Sequence, residues 1–322
     1  MRDTDYAFCV ARIRARETKL LSPDFIHRLI EAESYDRAVG MLTDIGWIEA
    51  RADDENFIRK QSSGLWTFLK ECVPDKPVLD YLCILNDYFN IKTAIKCILS
   101  GNNADKYYSE PSSLELEKLC GSIDSRTFDV FKNKNMREVA KMAFEAACMT
   151  NSGQDTEVIV DVAALGFLLE TSKKSRYATF SKICSFTVDT SNIRTAIRCA
   201  EIGKDAEFIS SALSECCKIS KEKLVSEASA GSEQLRDYLS GSEYAFGVEL
   251  YYKNPALYDK WCDEKTLEIA TKSGFTAFGF DPVCAYFYRK NNEIKTVKLI
   301  LSAKKSGIPA DVLRERVKGS YA

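Results

Sequence analysis

Apolar residues recur along this chain at intervals of three and four, while period-two alternation is nearly absent. That rhythm predicts helices throughout and no sheet. The first predicted helix runs from about Tyr6 to Leu21, with Tyr6, Val10, Ile13, Leu20 and Leu21 on one stripe. Ser22-Pro23-Asp24 follows: a capping serine, a proline at the first helical position and an acid in the first turn. It starts a second helix whose Ile26, Leu29 and Ile30 point inward. Ser112 and Glu115 have the spacing of a capping box, and Asn254-Pro255 reads as a further cap with a first-turn proline. Only 15 Gly and 7 Pro punctuate the 322 residues, which fits long helices joined by short loops.

One helical phrase occurs three times. It reads NIKTAIK at Asn90–Lys96, NIRTAIR at Asn192–Arg198 and EIKTVKL at Glu293–Leu299, with Ile91, Ile193 and Ile294 as anchors 102 and 101 residues apart. Ile91, Ala94, Ile95 and Ile98 form a stripe to be buried, and Ile193, Ala196, Ile197 and Ala200 repeat it. Lys92, Lys96, Arg194 and Arg198 point away from it. Gly101 and Gly203 each fall ten residues after their isoleucine, where a helix ends on a left-handed glycine, and Gly307 is the looser third counterpart. A three-fold duplication is expected, with helical lobes at 1–103, 104–205 and 206–322. A fainter match links Tyr35–Leu42 with Gln234–Leu239; both precede an aromatic turn, at Gly46-Trp47 and Ser242-Glu243-Tyr244. The middle lobe is the most diverged.

Composition adds little to that picture. Hydrophobic residues make up 45 % and charged residues 29 %, enough to give each lobe a core. The net charge of −2 gives no bulk attraction to nucleic acid or anionic lipid. Its distribution is uneven: residues 285–322 carry nine basic and three acidic side chains, and residues 1–20 five and three. Basic ends on an acidic body describe either a polarised docking surface or ordinary solvated helix faces. Arg12 and Arg16 share a helix face and Arg14 points elsewhere. That trio suits the acids or phosphates of a partner, and equally suits a solvated amphipathic helix.

The twelve cysteines show no CxxC spacing and sit mostly within apolar helical runs. They read as reduced, buried thiols acting as small hydrophobes in a cytoplasmic protein. The adjacent Cys216 and Cys217, placed on a helix, would point about 100° apart and so not form a redox pair. His27 is the single histidine, off the apolar stripe, so a two-histidine metal site is excluded and a thiol enzyme lacks any other imidazole partner. HExxH, GxSxG, GxGxxG and GxxxxGK[ST] are all absent. No catalytic residue, cofactor, metal or small-molecule substrate is expected. Residues 1–20 lack the apolar centre of a secretory leader. The longest apolar stretch, Val158–Leu169, contains Asp161 and falls short of the about 20 residues of a spanning helix.

Several segments together carry a family resemblance. The opening Tyr6-Ala7-Phe8-Cys9-Val10-Ala11-Arg12-Ile13-Arg14-Ala15-Arg16, continuing to Lys19-Leu20-Leu21, resembles the start of the C subunit of prokaryotic V-type/A-type rotary ATPases. Asp87–Lys92 and Asp189–Arg194 resemble that family's D-x-x-N-[IL]-[KR] phrase. Gly279-Phe280-Asp281-Pro282, Ala285-Tyr286-Phe287, Arg289, Glu293-Ile294, the Lys304–Gly307 segment and Leu313-Arg314-Glu315-Arg316 are similar to its closing signature. The resemblance extends over the whole chain, and its N-terminus fits the prokaryotic form better than the eukaryotic counterpart, the d subunit.

The resemblance implies an all-α funnel of three related lobes. It implies a non-catalytic rotor subunit that sits peripherally on the cytoplasmic side of the membrane, caps the proteolipid ring and receives the central shaft. Torque then passes between shaft and ring in ATP-linked proton or sodium transport. Arg12, Arg14, Arg16, Asp281, Tyr286 and Arg289 are the candidate partner-interface residues. The competing expectations are a helical-repeat adaptor for soluble partners and a thiol-dependent enzyme.

Overall fold

The computed structural model describes residues 2–49, 54–150, 153–273 and 276–317. In chain order the helices are α1 (Ala7–Glu17), α2 (Pro23–Glu31), α3 (Tyr35–Asp44), α4 (Asp54–Cys72), α5 (Lys76–Ser100), α6 (Leu116–Asp124), α7 (Lys134–Thr150) and α8 (Gly153–Lys174). They continue as α9 (Ala178–Glu201), α10 (Ala206–Ala212), α11 (Lys221–Ala230), α12 (Ser232–Ser240), α13 (Ala245–Lys253), α14 (Pro255–Ser273), α15 (Asp281–Lys305) and α16 (Ala310–Val317). Among the described residues there is no strand. The all-α class follows from the three-and-four rhythm, because only a helix places those positions on one face.

The fold divides into two compact units, one of residues 1–76 with 255–322 and the other of residues 77–254. In the first, α2 buries Phe25, Ile26, Leu29 and Ile30 in a core shared with α3, α16 and the C-terminal half of α15. Ser22 caps α2 as expected, its Oγ accepting from Phe25 N at 3.2 Å. The first helix is shorter than its apolar stripe: a 3₁₀ turn, Asp3–Tyr6, leads into α1, which stops at Glu17, and Leu21 is buried beyond its end. In the second unit, α7, α8 and α9 pack in succession and α11 and α12 lie on α9. Tyr81 and Phe180 stack at 5.6 Å between α5 and α9.

The three phrases lie on α5, α9 and α15. Ile91, Ala94 and Ile95 are fully buried, as are Ile193, Ala196 and Ile197. Each buried isoleucine stabilises the fold by about 2 kcal/mol. Lys92 turns away and pairs with Asp161 of α8 at 2.6 Å, while Lys96 pairs with Glu157. That ammonium bond holds the Glu157 carboxyl below its usual range. All three helices end alike, on Gly101, Gly203 and Gly307 at φ of +70°, +66° and +67°. The residue after each glycine donates back into the last turn, from Asn102 N to Cys97 O, Lys204 N to Cys199 O and Ile308 N to Ala303 O. This double closure satisfies carbonyls that the helix end would leave free.

Two local expectations need correction. Ser112 and Glu115 do not form a capping box, because Ser112 Oγ is drawn to Asp87 at 2.5 Å and Glu115 makes no side-chain cap bond at α6. Cys216 and Cys217 lie in the loop between α10 and α11, not on a helix.

Candidate functional site

Each phrase helix carries polar groups in its buried stripe, and each clasps a loop that leads into a helix. On α5 the pair is Asp87 and Asn90, one turn apart and so on one face. The Asn90 amide closes a two-bond ring with the Ser109 backbone, accepting from its N at 2.8 Å and donating to its O at 2.9 Å. Asp87 accepts from Ser113 N at 2.8 Å and from the hydroxyls of Ser112 and Ser113 at 2.5 Å each. Burial pushes the Asp87 carboxyl above its usual range, against the lowering pull of those serines.

On α9 the arrangement recurs with Asp189 and Asn192. The Asn192 amide accepts from Ser214 N and donates to Ser214 O, both at 3.1 Å. Asp189, fully buried, accepts from Cys217 N at 2.7 Å, Lys218 N at 2.9 Å and the Tyr244 hydroxyl at 2.8 Å. Burial, and then the adjacent Asp189 charge, push the Tyr244 phenol well above its usual range.

On α15 the same two positions hold Lys290 and Glu293, and the clasped loop comes from the beginning of the chain. Glu293 accepts from Leu21 N at 2.7 Å, Trp47 Nε1 at 2.8 Å and Lys290 Nζ at 2.5 Å. Its side chain is 1 % exposed and that of Lys290 14 %. Trp47 thus does for α15 what Tyr244 does for α9: the aromatic turns that follow α3 and α12 each point a polar tip at the phrase helix. The two turns follow the segments Tyr35–Leu42 and Gln234–Leu239, whose sequences match faintly. Periodicity alone assigns these polar groups no role, although Asp87 and Asp189 each fall four residues before the anchoring isoleucine, in line with the stripe.

The proposed interface residues all lie in the first unit. Tyr6 meets Phe280 edge-on at 6.4 Å, and Gly279 N donates to Asp3 O at 3.2 Å, so the opening and closing segments pack together. Gly279 sits at φ +90°, and a Cβ there would stand 3.4 Å from the Asp3 carboxyl. Phe68 of α4 is the hub: Tyr286 meets it edge-on at 6.0 Å, and the guanidiniums of Arg12 and Arg16 lie 5.0 Å and 3.8 Å from its centroid. Each such cation–ring contact contributes about 0.5–1 kcal/mol at an exposed site. Arg12 also reaches Glu71 at 3.4 Å. Arg14 and Arg289 converge on Glu17 at 2.8 Å and 3.1 Å, and Arg14 donates to Thr276 O at 3.3 Å. Asp281 is the first residue of α15, and Tyr286 is buried. Arg12, Arg14, Arg16 and Arg289 thus form a cationic cluster in which Glu71 and Glu17 are among the partners, and Phe8 lies exposed beside Arg12. Sequence reasoning missed Phe68, whose contacts follow no local spacing, and Glu17, whose i,i+3 spacing from Arg14 on α1 could have pointed to it.

Among the described residues no group of three or more His, Cys, Asp or Glu is placed to hold a metal ion. His27 is exposed on α2. No helix among the described residues is long and apolar enough to cross a membrane.

The family model described as ATP synthase (C/AC39) subunit matches residues 9–316. The C subunit of the A-type ATP synthase of Methanocaldococcus jannaschii is 25 % identical over 96 % of this chain and 85 % of its own length. The C subunit of the V-type sodium ATPase of Enterococcus hirae is 23 % identical over 96 % of this chain and 97 % of its own. At that coverage each relative is matched along nearly the whole chain, as the three phrases and both terminal segments would require.

Proposed function

The chain belongs to the ATP synthase (C/AC39) subunit family, and from that premise we propose that it is a non-catalytic rotor subunit of a V/A-type ATPase. In this reading it joins the central shaft to the membrane proteolipid ring on the cytoplasmic face. It passes torque between them during ATP-linked proton or sodium transport. The observation that carries the reading is the family match from residue 9 to residue 316, which includes both terminal segments and all three phrases. The three-lobed funnel, with lobes at 1–103, 104–205 and 206–322, belongs to the same proposal.

The geometry supports it in two ways. A torque-bearing part must resist shear, and each phrase helix is tied to its neighbouring loop by buried, hydrogen-bonded polar side chains as well as by apolar packing. A docking part needs complementary charge to fix its register, and the Arg12, Arg14, Arg16 and Arg289 patch offers it to an acidic partner surface, with Tyr286 and Asp281 on the same helix as Arg289.

The test is affinity capture of the tagged full chain from detergent-solubilised membranes of its host, with partners identified by mass. Co-recovery of a proteolipid and shaft subunits is expected. Recovery of soluble proteins alone would overturn the rotor role and favour an adaptor.

A further inference from the structure

We infer that Cys9 and Cys72 are a reversible disulfide site that staples α1 to α4. The two residues are 63 positions apart in sequence, yet their sulfurs lie 3.0 Å from each other. Closing a disulfide requires them to approach by only about 1 Å, to a bond of about 2.05 Å. Both are buried, Cys9 at 1 % exposed and Cys72, the last residue of α4, at 6 %, so Cys72 is the sulfur nearer the surface.

The surroundings of the sulfurs favour ionisation of the pair. One thiol donates to the other, and Arg12 and Lys76 add positive charge near both. The end of α4 opposes a thiolate through its free carbonyls, and the two cations counter that effect. Burial works against ionisation at both sulfurs. Cys72, the more exposed of the two, is assigned as the attacking sulfur and Cys9 as the resolving one.

With a hydroperoxide as the oxidant, the Cys72 thiolate attacks one peroxide oxygen. The O–O bond breaks, hydroxide leaves and takes up a proton as water, and Cys72 becomes a sulfenic acid. The Cys9 sulfur then attacks Cys72, the S–O bond breaks and a second water leaves. Two thiols and one hydrogen peroxide give one disulfide and two waters; the sulfurs lose two electrons and the peroxide gains them. A dithiol reverses the bond by exchange. Cys9 lies one turn before Arg12 on the helix that also carries Arg16, and α4 carries the Phe68 ring beneath both. The bond therefore fixes the cationic face of α1 in place. This inference stands whether or not the rotor reading does.

The test treats the reduced full-length chain with hydrogen peroxide, alkylates the remaining thiols under denaturing conditions and maps the peptides by mass. The expected result is a fall from twelve alkylated cysteines to ten, with a linked Cys9–Cys72 peptide pair that is two hydrogen atoms lighter than its parts. Dithiothreitol should restore all twelve. Cys72→Ser should abolish the linked pair, while Cys148→Ser, at an exposed position, should leave it intact. Oxidation confined to Cys148, or an unchanged Cys9 and Cys72 in the wild-type map, would overturn the inference, and neither result depends on how the variants fold.

Discussion

The junctions on α5 and α9 differ from the junction on α15 in both chemistry and reach. On α5 and α9 an aspartate and an asparagine clasp backbone only 19 to 29 residues downstream. On α15 a glutamate and a lysine clasp groups 246 and 272 residues away in sequence. Closing a loop nearly tenfold longer costs at most about 2 kcal/mol more in chain entropy. The long-range junction is also the one with two opposite charges at its centre. Hydrogen bonds to a charged group contribute about 1.5–3 kcal/mol each, and Glu293, unlike Asp87 and Asp189, takes one of its three from an ammonium, that of Lys290. The same helix has been fitted to two tasks: tying consecutive segments, and tying the end of the chain to its beginning.

The largest test of that contrast is Glu293→Ala. It takes the carboxylate from the half-buried Lys290 and removes the acceptor from Leu21 N and Trp47 Nε1. A loss of about 3–5 kcal/mol is expected in urea unfolding of the purified chain. A cost no greater than that of Asn192→Ala would erase the distinction between the junctions. Next comes Asp189→Ala, which orphans two backbone donors and the Tyr244 hydroxyl. It should cost about 3 kcal/mol and should loosen the loop at 213–218 to hydrogen exchange before it affects α15.

A finer comparison removes one donor at each long-reaching aromatic. Tyr244→Phe and Trp47→Phe should each cost about 2 kcal/mol, with Trp47→Phe the larger because the smaller ring also leaves a gap beside Phe57. Equal losses would show that the indole serves only as a donor. The helix ends supply the control, where the three copies should not differ. Gly101→Ala, Gly203→Ala and Gly307→Ala meet open space, so each should cost only the about 1 kcal/mol of a left-handed alanine.

The smallest effect expected is in pH dependence. Burial raises the Asp87 carboxyl in the folded state. A raised acid favours the fold while it is protonated, below the unfolded value of about 4, and that contribution is lost as the pH rises through the folded value. Asp87→Asn removes this titration. Its stability relative to the parent should therefore improve between acid and neutral pH, as urea midpoints across that range would report.

Much of the fold was legible in the sequence because its determinants are local. The stripe through Ile91, the Ser22 cap and the left-handed glycines are each fixed within one or two helical turns. The capping box at Ser112 failed for the opposite reason: Asp87, 25 residues upstream, competes for the hydroxyl and wins with a charged acceptor. The cationic patch was half legible. The arginines and the i,i+3 pair of Arg14 with Glu17 stand in the sequence, but the Phe68 ring beneath Arg12 and Arg16 and the reach of Arg289 to Glu17 come from distant segments.

The residues alone thus determined an all-helical chain with three copies of one helix, the ends of those helices and the family to which they point. Only the tertiary structure decided what the polar residues inside the stripes are for, and that the third copy finds its loop at the start of the chain. Helical periodicity is enforced over a few residues by backbone geometry, so it is written in any short window. A buried carboxylate is satisfied by whichever donors the folded chain brings within 3 Å, and two of the three on Glu293, from Leu21 and Trp47, come from 272 and 246 residues away.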